Sequence, residues 1–280
     1  NIDKMGLTRT KDLLMQRLFG GEVPDSVTGF VAKYFGVEGN LLHHDINSGL
    51  ADASGFDGLV LGGSPALVSR AESEESIFNR RHFSHAQVYD RMAAAHEIAV
   101  ENGLPVLGIC YGSHVLTRAH GGVVGNLLNQ RQRMDRLNTG MGREFVDDCL
   151  GVEISDEGET YVAHQDASLG FGRASRVLAQ VTDGEEVIPQ FMIHLNDARY
   201  AFTGDNGTDA NLMRDVMDNG GYAGLGIQGH FELAFPHLLM ELISTRQDVG
   251  AFADIVKRME LTKETVGLVA GFFSAHRNFV

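Results

Sequence analysis

The sequence predicts an α/β fold: a mostly parallel sheet covered by helices on both faces, extended by antiparallel strands and followed by a helical C-terminal tail. Three observations carry that prediction. Short apolar runs alternate with helical patterns up to about residue 120 and the apolar run returns near residue 225, as parallel strands joined by crossover helices require. From Gly122 to Leu195 the texture changes to short apolar runs broken by Gly and Asp, which reads as antiparallel strands. From Phe235 to Val280 the spacing turns helical again.

Taken in order, Thr8 to Phe19 and Ser26 to Phe35 read as helices, Leu41 to Asp45 as a strand, and Gly58 to Leu61 as a buried strand. Glu74 to Asn102 holds a long helical pattern, with Val88, Met92, Ala95 and Ala99 at helical spacing. A strand at 105–109 follows, then a helix from Gly112 to about His120. Within the antiparallel stretch, Val152 to Ile154, Thr160 to Ala163, Val177 to Val181 and Val187 to Ile193 are the strand candidates. The polar segment from Asn196 to Gly221 reads as a loop or helical insertion beside the mouth of the site. Leu225 to Gln228 is a short buried strand, and the tail comprises two or three helices, one starting near Thr262-x-x-Thr265. With no repeat, low-complexity tract or linker, residues 1–280 read as one domain.

Composition narrows the function classes. At 280 residues and 43% hydrophobic, the chain is long enough to bury a full core. No apolar run approaches the roughly 18 residues that span a bilayer, and Asp3, Lys4, Arg9 and Lys11 near the amino end do not resemble a secretory signal. A formal charge of −14 without a Lys/Arg stripe argues against nucleic acid. Two cysteines, Cys110 and Cys149, fit a reducing, cytoplasmic setting better than a disulfide framework. His82-x-x-His85 and His43-His44 lack companions at metal-ligand spacing and read as solvated surface, and no metal site is expected.

The chemistry concentrates in Leu104-Pro105-Val106-Leu107-Gly108-Ile109-Cys110-Tyr111-Gly112. An apolar run ends in a cysteine bracketed by glycines just before a helix, which is how a nucleophile is mounted on a sharp strand-to-helix turn. The glycines make room for a strained backbone, and the helix that follows directs its positive end at the sulfur. Taken alone, the same turn could be a packing device around an inert cysteine. Downstream, Leu225-Gly226-Ile227-Gln228 runs into Gly229-His230-Phe231-Glu232, where a histidine and a carboxylate two positions apart can serve as general base and orienter.

These segments resemble the class I glutamine amidotransferase family, including the stand-alone domain similar to the glutaminase domain of GMP synthase. That family carries a Gly-x-Cys-x-Gly elbow and, later, a Gln-x-His-Pro-Glu segment. Phe56-Asp57-Gly58-Leu59-Val60-Leu61-Gly62-Gly63-Ser64-Pro65 is similar to its oxyanion strand and glycine turn, and Tyr161-Val162-Ala163-His164-Gln165-Asp166 to its His-x-Asp segment. The four matches stand in family order. The resemblance implies a three-layer αβα, flavodoxin-like fold and a Cys-His-Glu triad of Cys110, His230 and Glu232. It also implies an oxyanion hole from the backbone of Gly63 and Tyr111, with Gly62, His114 and His164 near the substrate. Such an enzyme releases ammonia from L-glutamine or a γ-glutamyl compound through a thioester, without a cofactor, and hands the ammonia to a separate synthetase. The chain departs from the pattern at Ser113-His114, where the family's elbow helix continues His-Gln, and at Phe231, which replaces proline. The first departure supports two alternatives, a γ-glutamyl peptidase or hydrolase and an acyltransferase; a non-catalytic relative is the third.

Overall fold

The structure, a computed structural model, describes residues 55–78, 81–183, 186–197, 199–219, 221, 223–230, 264–265 and 267–276. The described residues belong to one compact unit, His44–Val280. The helices and strand expected before residue 46, and most of the expected tail helices, lie outside the described residues.

A seven-stranded mixed sheet organises the unit. Its strands are β1 (Leu59–Leu61), β4 (Val106–Ile109), β5 (Val123–Asn138), β6 (Glu157–Gly170), β7 (Ser175–Asp183), β8 (Glu186–Leu195) and β9 (Ala223–Ile227), in the order β1-β4-β9-β8-β7-β5-β6. The β1, β4 and β9 strands are parallel; β8, β7, β5 and β6 continue the sheet through antiparallel pairs. A separate hairpin joins β2 (Ser76–Phe78) to β3 (Arg81–Ser84). The helices are α1 (His85–Glu101), α2 (Tyr111–Ala119), α3 (Arg143–Leu150), α4 (Asn206–Asp218) and α5 at residues 267–276. Parallel strands flanked by helices, an antiparallel extension and a helical C-terminal piece give the flavodoxin-like fold that the sequence predicts.

Local chemistry explains the boundaries. The long helical pattern from Glu74 starts only at His85, because Ser84 caps the helix: its Oγ accepts from Gln87 N–H while Gln87 Oε1 accepts from Ser84 N–H. The residues before it form the hairpin instead. Val152 to Ile154 is not a strand, whereas Val123 to Asn138 forms one of the sheet's longest. The 196–221 insertion contains α4, capped by the Asp205 carboxylate on Thr208 N–H at 2.8 Å.

One core region lies where α1 and α2 meet β1 and β4. Leu61, Val68, Val88, Met92, Val106, Val115 and Leu116 are buried together there, and a side chain such as Leu116 contributes roughly 2 kcal/mol by leaving water. The α2 helix also presses closely on β9. A Cβ on Gly226 would stand 2.8 Å from Ser113 Oγ, and one on Gly224 would stand 3.4 Å from Leu116. Glycines in an otherwise apolar strand therefore set how near the helix comes to the sheet.

Candidate active site

Cys110 sits where β4 gives way to α2. Its N–H donates to Ile227 O at 2.8 Å, extending the β4–β9 ladder, and its C=O accepts from His114 N–H at 3.2 Å, opening the helix. Between those two commitments the chain turns sharply, with φ 52° and ψ −107° at Cys110. Among the described residues no other non-glycine has a positive φ. Such a conformation costs an L-residue about 1–3 kcal/mol and persists only when its surroundings impose it. The flanking glycines provide the imposition. A Cβ on Gly112 would stand 2.2 Å from Leu61 O, and one on Gly108 would stand 2.6 Å from the Gly112 carbonyl. Neither residue has a positive φ; both are glycine because backbone meets backbone there.

The Gly62-Gly63 turn at the end of β1 lies against the elbow. Gly112 N–H donates to Gly62 O at 3.2 Å. Because the peptide is trans, this hydrogen bond directs the Gly63 N–H the opposite way. A Cβ on Gly63 would stand 3.2 Å from His230 Cε1 and 3.7 Å from Cys110 Cβ. The thiol carbon, the imidazole and the glycine turn thus share one corner. Both glycines are exposed, while Cys110 is 6% exposed and His230 half-buried.

His230 follows β9 and is held by its backbone. Gln228 N–H donates to Gln190 O at 2.7 Å, and His230 N–H donates to Tyr161 O at 2.6 Å. A Cβ on the intervening Gly229 would run into Thr160 Oγ1. Two strands of the antiparallel extension, β8 and β6, therefore fix the approach of the histidine.

The remaining expected site residues fall as follows. Tyr111 is fully buried, and burial, reinforced by Tyr89 and Asp166, pushes its phenol well above the ordinary range. His114, on the first turn of α2, is buried and hydrogen-bonded to Gln228; burial, opposed by the Gln228 contact and aided by the nearby His230, brings it down to about 4. It is a neutral imidazole at neutral pH. His164 lies on β6 in register with Arg131. Glu232 lies outside the described residues.

Three contributors carry no role in the sequence reading. Gln228, fully buried, accepts from Ser168 N–H at 3.1 Å through Oε1. Asp166, also buried, accepts from Ser69 N–H and Ser69 Oγ at 2.8 and 2.6 Å. His85 is not the solvated surface group expected: it is 6% exposed and its Nδ1 accepts from Leu67 N–H at 2.9 Å. Neither Asp166 nor His85 carries a local signal in the sequence, because the contacts of each cross to another element. Among the described residues no three His, Cys, Asp or Glu side chains converge to hold a metal, and no helix is long and apolar enough to cross a membrane.

The profile of the family described as glutamine amidotransferase class-I matches residues 26–188. No curated protein matches the chain. Among solved structures, the chain is similar to a glutamine amidotransferase from Thermotoga maritima, with TM-score 0.46 and 15% identity over 79% of this chain and 78% of that one. It is similar to a protein from Thermoplasma acidophilum described as a GMP synthase subunit, with TM-score 0.45 and 13% identity over 80% of this chain and 76% of that one. A glutamine amidotransferase from Methylobacillus flagellatus gives TM-score 0.46 and 14% identity over 86% and 81% of the two chains.

Proposed function

The chain belongs to the glutamine amidotransferase class-I family, and from that premise we propose that it hydrolyses a side-chain amide through a thioester on Cys110 and releases ammonia. The observation that carries this reading is the strained Cys110 backbone, held by glycines that admit no side chain, beside the His230 imidazole. A structural cysteine needs no such conformation.

The sulfur of Cys110 attacks the amide carbon, and the carbonyl oxygen takes the negative charge. Backbone N–H groups of Tyr111 and Gly63 stabilise that oxyanion; losing one such donor typically costs on the order of 10²–10³ in rate. His230 protonates the departing nitrogen as the C–N bond breaks, leaving a C–S thioester and ammonia. It then takes a proton from water, whose oxygen displaces the sulfur to give the carboxylic acid. Glu232 orients His230 and stabilises its cation. With L-glutamine the products are glutamate and ammonia, the latter passing to a separate synthetase, and two free thiols fit a cytoplasmic setting. Gly62 and His164 border the substrate.

A second reading is favoured by one observation. His114 stands where the family's elbow helix carries glutamine, and it is buried against Gln228. A γ-glutamyl compound, presenting a different group at the amino-acid end, would suit that change. Steady-state ammonia release from L-glutamine and from γ-glutamyl anilides separates the two. Reaction with a diazoketone analogue of glutamine, followed by peptide mass mapping, should modify Cys110 and leave Cys149 untouched; an unmodified Cys110 with no turnover on either substrate would exclude both readings.

A further inference from the structure

We infer that Asp166 and His85 are positioning residues for the oxyanion hole, holding from two separate elements the loop that begins with Gly62-Gly63. The inference rests on the reading above. Two adjacent glycines have the widest backbone freedom of any dipeptide, so the direction of the Gly63 N–H must be imposed from outside. One constraint comes from the elbow, through Gly112 N–H to Gly62 O. The other must come from where the loop is tied down beyond Pro65.

Loop backbones are ordinarily satisfied by water. Here the N–H groups of Ala66, Leu67 and Ser69 go to side chains, while those of Arg70 and Ala71 close a 3₁₀ turn at Val68–Arg70 on Leu67 O and Val68 O. Leu67 N–H donates to Nδ1 of His85, the first residue of α1. Ser69 N–H and Oγ–H form a two-donor fork that donates to Oδ2 and Oδ1 of Asp166 on β6. Asn126 Nδ2 donates to the same Oδ1 at 3.3 Å. Arg118 Nη1 donates to Val68 O at 3.2 Å between the two anchors. Asp166 is 2% exposed, and a carboxylate is costly inside a protein unless each oxygen is hydrogen-bonded. A carboxylate accepts both arms of the Ser69 fork and the Asn126 amide; an amide in its place accepts one arm only, reverses the bond to the Ser69 hydroxyl and sets its NH2 against Asn126 Nδ2, itself a donor. The His85 contact likewise requires Nδ1 without its proton. Between the anchors and the active glycine, the Ala66 N–H to Ser64 Oγ bond and the fixed φ of Pro65 leave little slack.

Loosening either anchor should misdirect the Gly63 N–H in the transition state, with a much smaller effect on substrate binding and none on the thiol. For Asp166→Asn, Ser69→Ala and His85→Leu, kcat on the wild type's substrate should fall tenfold or more with KM within about twofold, the pattern of lost transition-state stabilisation. Alkylation of Cys110 by iodoacetamide, which needs no oxyanion hole, should proceed at the wild-type rate. Ser69→Thr and His85→Asn, which keep the donor and the acceptor, should recover most of the loss. Asp166→Asn combined with Ser69→Ala should lose little more than either alone, because both remove one contact. Hydrogen exchange in the 62–71 peptide should rise in each loosening variant. Ser69 is exposed, so Ser69→Ala tests the idea even where Asp166→Asn fails to fold. Unchanged kcat in Ser69→Ala and His85→Leu, or unchanged exchange in 62–71, would overturn the proposal. A wild-type chain inert toward amides would instead overturn the functional reading, with the exchange measurement still deciding whether these residues hold the loop.

Discussion

At Cys110, the proposed chemistry and stability oppose each other. A residue with side chain at φ 52° is strained, so Cys110→Gly should be more stable than Cys110→Ala by about 1 kcal/mol, and both should lack turnover. Thermal melts of the pair, with ammonia release, check this; equal melting temperatures would mean that the turn is not strained. Cys149, by contrast, is buried on α3, with burial pushing its thiol up to about 12, and Cys149→Ser should leave kcat within about twofold by the measure of residues remote from the chemistry. His230→Ala should abolish turnover, and Glu232→Gln should leave a residual rate. The elbow was legible in the sequence because glycines two positions either side of a cysteine are a local pattern. The reason for Gly112 was not: the oxygen that excludes a Cβ belongs to Leu61, on another strand. For the same reason the role of Asp166 went unread, since its partner Ser69 lies on a different element.

Among the elements, the antiparallel extension supplies the hold on His230, and α4 is fastened to it by a buried ion pair. Arg176 on β7 reaches Asp209 of α4, lies over the Phe145 ring at 4.7 Å, and leaves Asp209 to accept also from Thr203 and Gly204 N–H at 2.7 and 3.0 Å. Removing one partner strands a buried charge, so Arg176→Leu should cost about 3–5 kcal/mol. Urea denaturation monitored by circular dichroism checks it, and a loss under about 1 kcal/mol would show Asp209 satisfied by its backbone donors alone. The sequence marked α4 as an insertion but missed this anchor, for the partners are far apart in the chain. It also ran α1 back to Glu74, because helical spacing continues upstream while the Ser84/Gln87 cap that ends it is a two-residue signal.

For the whole molecule, imidazoles that are buried or half-buried make stability depend on acidity. His96, His114, His120, His194 and His276 all lie below their ordinary 6.5, burial being the first cause in each, and His96 and His114 fall to about 4. His120 stacks on His194 with ring centroids 4.9 Å apart, and His96 meets His120 edge-on at 5.4 Å. Between pH 6.5 and 4 the unfolded chain binds more protons than the folded one, so this stability is complete above 6.5 and drains away as pH falls. His96 and His114 should each cost on the order of 1–2 kcal/mol by about pH 5. Urea midpoints at about pH 7.5, 6 and 5 should decline stepwise, and His96→Leu should flatten the decline; a midpoint constant down to about pH 5 would contradict it. The fold class was legible because periodicities of two and of about 3.6 residues are local, whereas strand order is not. That order has a temporal consequence. Thr182 pairs with Val187, close by in the chain, but Val106 pairs with Gly224 only after the intervening extension has been made. Contacts between distant segments carry the larger loop-closure cost and close late. On the ribosome, the β7–β8 pair can therefore form while Cys110 still lacks His230 beside it, and the corner they share is assembled only when β9 slots between β4 and β8.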